Sequence, residues 1–170
     1  MRATRINHVS VSARDLTESV RFYADVLGME PVATPDFGFP VQWMGLGEAQ
    51  LHLFEQPKRE PPVSHHFAIE VDDFAAVLRY VRDRGIEDRT TFGHWLYRLP
   101  DGAAQLYLRD PGGNLVEVDF PDADAIDPAL TAEMRPLPKP QTGEAARATL
   151  WTAPASGATP RRTLPPASGR

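Results

Sequence analysis

The sequence predicts an α+β fold in which one βαβββ unit occurs twice. The stretch HVSVSARDLTESVRFYADVLGME begins at His8, and the stretch HFAIEVDDFAAVLRYVRDRGIE begins at His66. In both, the first large apolar residue of a helical pattern comes eight positions after the histidine, and a glycine, Gly28 or Gly85, ends the pattern. Because strand, acidic turn, helix and glycine recur in the same order, the two histidines are expected at equivalent points on equivalent strands.

The first unit spans residues 4–57. Strict alternation over residues 6–12 predicts a strand that carries His8 on the face opposite Val9 and Val11. Asp15 provides a helix N-cap, and the apolar stripe that follows it is typical of an amphipathic helix. Three further strands are expected at residues 29–34, 41–46 and 50–55.

The second unit spans residues 64–121, after a proline-rich connection. Asp73 caps its predicted helix, and strands are expected at residues 66–71, 91–99, 104–109 and 115–120. The turn DPGGN joins the last two strands as a hairpin. In the strand LVEVDF, alternation places Glu117 and Asp119 on the face opposite Val116 and Val118.

Both units together form one expected domain over residues 1–122, a length that suits a single core. Residues 123–170 form a tail rich in proline, which we expect to be largely disordered from about Thr142 onward. Within this tail, residues 130–137 are expected to pack on the body of the domain.

Composition excludes several classes of function. The net charge of −5 leaves no basic patch for nucleic acid, and no apolar run approaches the ~20 residues that span a bilayer. We therefore expect a cytoplasmic protein with a small-molecule partner. Because the chain has no cysteine, only histidine, aspartate, glutamate and backbone oxygen remain as metal ligands.

Four predicted strands each carry one ligand-type residue on the face that the helices do not cover. These residues are His8 and His52 in the first unit and His66 and Glu117 in the second. Imidazole and carboxylate groups that converge from four strands satisfy the needs of a divalent metal ion. Glu117 lies between two valines, so its buried charge would be costly without a cation.

A substrate pocket is expected beside these ligands. Gln105 and Tyr107 share one face of the penultimate strand, and Tyr107 is suited to donate a hydrogen bond to a bound molecule. Trp43 and Trp95 are the candidate aromatic contacts to a substrate.

The stretches INHVSVSARDLTESVRFYADVLGME, HHFAIEVDD and QLYLRDPGGNLVEV resemble those of the vicinal oxygen chelate superfamily over residues 4–121. This superfamily includes glyoxalase I, fosfomycin- and bleomycin-resistance proteins, methylmalonyl-CoA epimerase and extradiol dioxygenases. The resemblance implies paired βαβββ modules that form a cupped mixed sheet around a metal and substrate cavity, and a homodimer. It assigns ligand roles to His8, His66 and Glu117, and a place in the pocket to Tyr107. His52 occupies the position of a fourth ligand that is usually glutamate.

The resemblance favours a metal-dependent enzyme with Lewis-acid lyase, isomerase or transferase chemistry on a small oxygen-chelating substrate. The cofactor is one divalent ion, with Zn, Mn, Ni, Co and Fe all open, and the catalytic candidates are Glu117, Tyr107 and Glu70. One alternative is a non-haem Fe(II) extradiol-type dioxygenase, in which His52 is an acid/base catalyst. Another is a drug-binding or resistance protein without turnover. Glyoxalase I activity itself is not expected, since the residues that hold glutathione there have no clear match.

Overall fold

The computed structural model of the chain describes residue 3 and residues 5–151. Within this range, both units contain one α-helix and four strands, and a short ninth strand follows. The helices are α1 (Leu16–Leu27) and α2 (Phe74–Arg84), and the strands are β1 (His8–Ala13), β2 (Glu30–Val32), β3 (Val41–Leu46), β4 (Ala49–Glu55), β5 (His66–Glu70), β6 (Leu96–Arg98), β7 (Ala104–Arg109), β8 (Leu115–Phe120) and β9 (Arg135–Pro136). No helix in this part of the chain is long and apolar enough to cross a membrane.

The helix ends follow the predicted signals. The carboxylates of Asp15 and Asp73 each accept a hydrogen bond of 2.8 Å from the backbone N–H three residues later. Gly28 and Gly85 end the helices in the left-handed conformation, with φ of 65° and 62°. The two helices are therefore capped in the same way.

The strands form two mixed sheets with equivalent connections. The first sheet has the order β1-β4-β3-β2, and the second has the order β5-β8-β7-β6-β9. In each sheet the first strand of the unit pairs in parallel with the last, whereas the hairpin strands pair antiparallel. The structure thus confirms the predicted α+β fold from a doubled βαβββ unit. Strand β9, which pairs with β6, was not predicted.

One hydrophobic core extends through both units. Phe22 and Tyr23 of α1 and Phe74 and Leu78 of α2 belong to the same cluster of buried side chains. A buried polar bridge adds to this contact, since the hydroxyl of Tyr23 donates to Asp110 over 2.6 Å. The helices cover one face of the sheets, and the opposite face carries the candidate site.

Strand β6 is shorter than the predicted strand at residues 91–99. The carboxylate of Asp88 accepts hydrogen bonds from the backbone N–H groups of Thr90 and Thr91, and these bonds form a turn where the strand was expected to begin. Burial alone would raise the pKa of Asp88, but these bonds and the guanidinium of Arg109 lower this pKa to about 2.

The C-terminal segment lies along the second sheet. After β9, Leu137 packs against Tyr97 and Tyr107 on the face opposite the helices. A short 3₁₀ helix spans Ala145–Arg147, and the described chain ends at Trp151. The predicted disorder from Thr142 onward falls mostly on residues 152–170, which lie outside the described residues.

Candidate metal and substrate site

In the second sheet, His66 and Glu117 lie side by side on β5 and β8. The Nε2 atom of His66 is 3.1 Å from Oε2 of Glu117, and only 4% of Glu117 is exposed to solvent. Two ligand atoms that each lie 2.0–2.1 Å from one zinc ion are about 3.0–3.4 Å apart. The spacing of this pair therefore suits two neighbouring ligands of a single divalent ion.

Gln105 fixes the orientation of the Glu117 carboxylate. Its side-chain amide donates to Oε1 of Glu117 over 2.7 Å, and its carbonyl oxygen accepts from the hydroxyl of Tyr107 over 3.1 Å. Both ends of Gln105 are therefore occupied, so this residue positions Glu117 rather than presenting a free group to a substrate. Burial, with the nearby charge of Glu117, raises the pKa of Tyr107 and keeps its hydroxyl protonated as a donor.

Asp119 lies on the same face of β8 as Glu117, as strand alternation predicts, although it was not among the predicted ligands. It follows Glu117 by two positions on β8 and is 4% exposed, and its Oδ1 atom has no hydrogen-bond partner among the described residues. Burial and the charge of Glu117 raise the pKa of Asp119 above its ordinary value. A nearby positive charge would stabilise these two carboxyl groups, because buried negative charge without a partner is costly.

In the first sheet, His8 and His52 form a stack with Trp43. The His8 and His52 rings lie 4.2 Å apart with an angle of 10° between their planes, and the His52 and Trp43 rings lie 4.3 Å apart at 7°. The strand register explains the order, because β4 lies between β1 and β3. Burial and the neighbouring His8 lower the pKa of His52, which favours the neutral imidazole that can bind a metal.

The four predicted ligands therefore form two pairs, one in each unit. Among residues 3 and 5–151, no group of three or more histidine, aspartate or glutamate side chains is arranged around a common point. A ligand nitrogen directs its lone pair in the plane of the ring, so the parallel rings of His8 and His52 cannot both point at one ion without rotation. The imidazole and carboxylate donors are of types that bind a divalent ion. The spacing of His66 and Glu117 also suits such an ion.

Of the four predicted ligands, His66 lines the cavity between the two units, whereas His8, His52 and Glu117 are not among its lining residues. Strands β1 and β5 border one cavity of about 230 Å³, which is lined by Ser10 and Ser12 on one side and by His66 on the other. The side-chain amide of Asn114 donates to the backbone oxygen of Ser12 over 2.7 Å and ties the start of β8 to the end of β1. Both units therefore contribute to one cleft.

The remaining candidates have different surroundings. Glu70 lies at the end of β5 on the same face as His66, and its carboxylate accepts a 2.8 Å hydrogen bond from the indole of Trp151. Trp95 is fully buried in the core on the helix side, where Arg82 lies over its ring. A substrate on the opposite face would not reach Trp95, whereas Trp43 borders that face.

Comparison with known proteins identifies the family. Residues 5–118 match the model of the Glyoxalase/Bleomycin resistance protein/Dioxygenase superfamily. The chain is 28% identical over 134 residues to human mitochondrial methylmalonyl-CoA epimerase, covering 68% of this chain and 73% of the epimerase. Among solved structures, lactoylglutathione lyase from Agrobacterium tumefaciens is 26% identical with a TM-score of 0.51, covering 74% of this chain and all of the lyase. Oxidase ChaP-H2 is 26% identical with a TM-score of 0.56, covering 72% and 98%. The chain belongs to the Glyoxalase/Bleomycin resistance protein/Dioxygenase superfamily, also called the vicinal oxygen chelate superfamily.

Proposed function

We propose that this protein is a divalent-metal-dependent enzyme that performs Lewis-acid lyase, isomerase or transferase chemistry on a small oxygen-chelating substrate. The observation that carries the proposal is the pairing of His66 with the buried carboxylate of Glu117 at a spacing that suits two ligands of one ion. The similarity to an epimerase and to a lyase supports the same type of reaction.

In this proposal, His8, His66 and Glu117 hold the ion, and His52 is a fourth ligand or a neighbouring pocket residue. When bound, a divalent ion would stabilise the negative charge that develops on a substrate oxygen. A charge of +2 beside Glu117 and Asp119 would also offset the repulsion between these two buried carboxyl groups.

Other residues around the proposed ligands orient them and contact the substrate. Gln105 holds the Glu117 carboxylate in a single orientation through its 2.7 Å bond. Tyr107 and Phe92 flank the His66 ring at centroid distances of 5.8 and 5.6 Å, and the ring stays partly exposed and open to a substrate. Glu70, on the same strand face as His66, is the residue we propose to carry a proton to or from the substrate.

A second candidate function is that of a non-haem Fe(II) oxygenase. Two histidines and one carboxylate are also the ligand set of that class, and an oxidase is among the structural neighbours. In this case His52 would act as an acid/base group instead of a ligand. The stack with His8 and Trp43 holds its ring in a defined orientation on the first sheet.

Metal analysis of the purified protein tests these proposals. After expression in medium supplemented with Zn, Mn, Ni, Co and Fe, we expect one divalent ion per chain. The metal content is measured by inductively coupled plasma mass spectrometry. His66→Ala and Glu117→Ala should reduce the metal content at least tenfold, whereas His65→Ala, at a neighbouring exposed position, should not. Iron together with oxygen uptake would favour the oxygenase over the Lewis-acid enzyme. A content far below one ion per chain in every medium would refute both and favour a binding protein.

A further inference from the structure

We propose that the first unit contains a binding site for a planar aromatic ring of the substrate, on the strand face that carries the proposed ligand His52. The site consists of Phe37, Phe39, Trp43 and Phe54, which we call the aromatic wall. This inference rests on the proposed function for the position of the substrate and adds its chemical class: a molecule with oxygen donors at one end and an aromatic ring at the other.

Six rings form a continuous series from the proposed ligands to the protein surface. His8 stacks on His52 and His52 stacks on Trp43, as described above. From Trp43 the series continues to Phe37 at 6.0 Å, from Phe37 to Phe39 at 6.0 Å and from Phe39 to Phe54 at 6.1 Å between ring centroids. A substrate whose oxygens reach His8 or His52 would therefore extend its other end along aromatic surface.

Two of the four rings of the aromatic wall are exposed although they are apolar. Phe37 and Phe39 are 45% and 53% exposed, while large apolar side chains of the core are covered almost completely. The loop that carries them has a defined shape, because the backbone N–H of Gly38 donates to the Asp36 carboxylate over 2.8 Å and the φ angle of Gly38 is 74°. The hydrogen bond therefore shapes the loop backbone that presents these two rings to solvent.

A small planar molecule fits this surface better than a second copy of the chain. A phenylalanine side chain presents roughly 200 Å² at most, so Phe37 and Phe39 together expose about 200 Å². A stable interface between proteins buries about 800 Å² on each partner. The exposed area matches one or two aromatic rings, and neighbouring rings at angles of 31° to 47° allow an added ring to pack against a face or an edge.

Three probes with the same hydroxyl and carboxylate donors but different ring content test the proposal. These are 3-hydroxybutanoate, salicylate and 3-hydroxy-2-naphthoate, and their dissociation constants are measured by calorimetry on the zinc-loaded full chain. We expect affinity to rise with each ring, with the naphthoate about tenfold tighter than salicylate. The double variant Phe37→Ala/Phe39→Ala should lose this preference for rings and leave the affinity for 3-hydroxybutanoate within about twofold.

Leu46→Ala is the matched control, because Leu46 lies on the same strand as Trp43, is 36% exposed and faces the opposite side of the sheet. It should keep the full ring preference. An unchanged preference in the double variant, equal affinities for the three probes, or no binding of any probe would overturn the proposal. A concentration-dependent dimer in ultracentrifugation that the double variant abolishes would instead assign the wall to a second copy.

Failure of the metal site is distinguishable from failure of the aromatic wall. A protein without metal would show no stoichiometric ion by mass spectrometry, yet naphthoate would still bind more tightly than 3-hydroxybutanoate if the wall holds a ring. His66→Ala should weaken all three probes by the same factor, because this histidine lies in the other sheet and does not contact the wall.

Discussion

Replacement of Gln105 by leucine should weaken metal binding without unfolding the protein. The side chain of Gln105 makes one hydrogen bond of 2.7 Å to a carboxylate and accepts one of 3.1 Å from a hydroxyl. A bond to a charged group contributes about 1.5–3 kcal/mol, and leucine has nearly the same size as glutamine. If this energy holds Glu117 in its ligand orientation, its loss corresponds to a decrease in metal affinity of about 10- to 100-fold.

The measurement is competitive titration of zinc against a chromogenic chelator, accompanied by thermal unfolding of the metal-free protein. Gln42→Leu is the control, because Gln42 also makes several hydrogen bonds but lies on β3, in the other sheet from Glu117. The control should lose stability and keep its metal affinity. Equal zinc affinities for wild type and Gln105→Leu, with both proteins folded, would show that Gln105 does not position Glu117.

Three further predictions concern the scaffold around the site. Tyr23→Phe removes the buried bond to Asp110 and should lower the free energy of unfolding by about 2 kcal/mol, seen as a fall in Tm of about 4–8 °C; a change below about 1 °C would contradict this. Because the pKa of Asp88 is lowered to about 2 in the fold, its ionised carboxylate adds about 2 kcal/mol to the free energy of unfolding above pH 4. This contribution is lost as the pH falls toward 2. Asp88→Asn should thus be less stable than wild type at pH 7, and the difference should shrink by pH 2; a constant difference in denaturant titrations would refute the pKa. Trp151→Phe removes the bond to Glu70 and should speed amide exchange in residues 138–151 about fivefold while β5 stays unchanged; equal exchange would show that this bond does not hold the segment.

Features set by local chemistry could be predicted from the sequence. The N-cap carboxylates, the terminal glycines and the alternation in β1 and β8 depend on neighbours within four residues, so His8 and Glu117 were placed on the correct faces. The four ligands were expected to converge, and the structure brings them together as two pairs, His66 with Glu117 and His8 with His52. Whether these residues bind a metal stays a prediction.

Features that depend on contacts distant in the chain were missed. Trp95 was expected to contact a substrate, but its side chain lies in the core, one residue before β6 begins at Leu96. The role of Gln105 depends on the register that sets Tyr107 opposite Glu117, which a pattern in one strand does not reveal. Phe37 lies in a loop without periodicity, so nothing local indicated that it would contact Trp43.

The two copies of the unit differ in chemistry, and in the proposed function this difference would orient a substrate. The first half offers aromatic rings from His8 to Phe39, whereas the second half offers the carboxyl groups of Glu70, Glu117 and Asp119 beside the rings of Phe92 and Tyr107. On the aromatic wall an apolar ring gains contact area without desolvating a carboxylate. Oxygen donors are favoured only where a cation offsets these carboxylates, so a molecule with both groups has one preferred direction across the cleft.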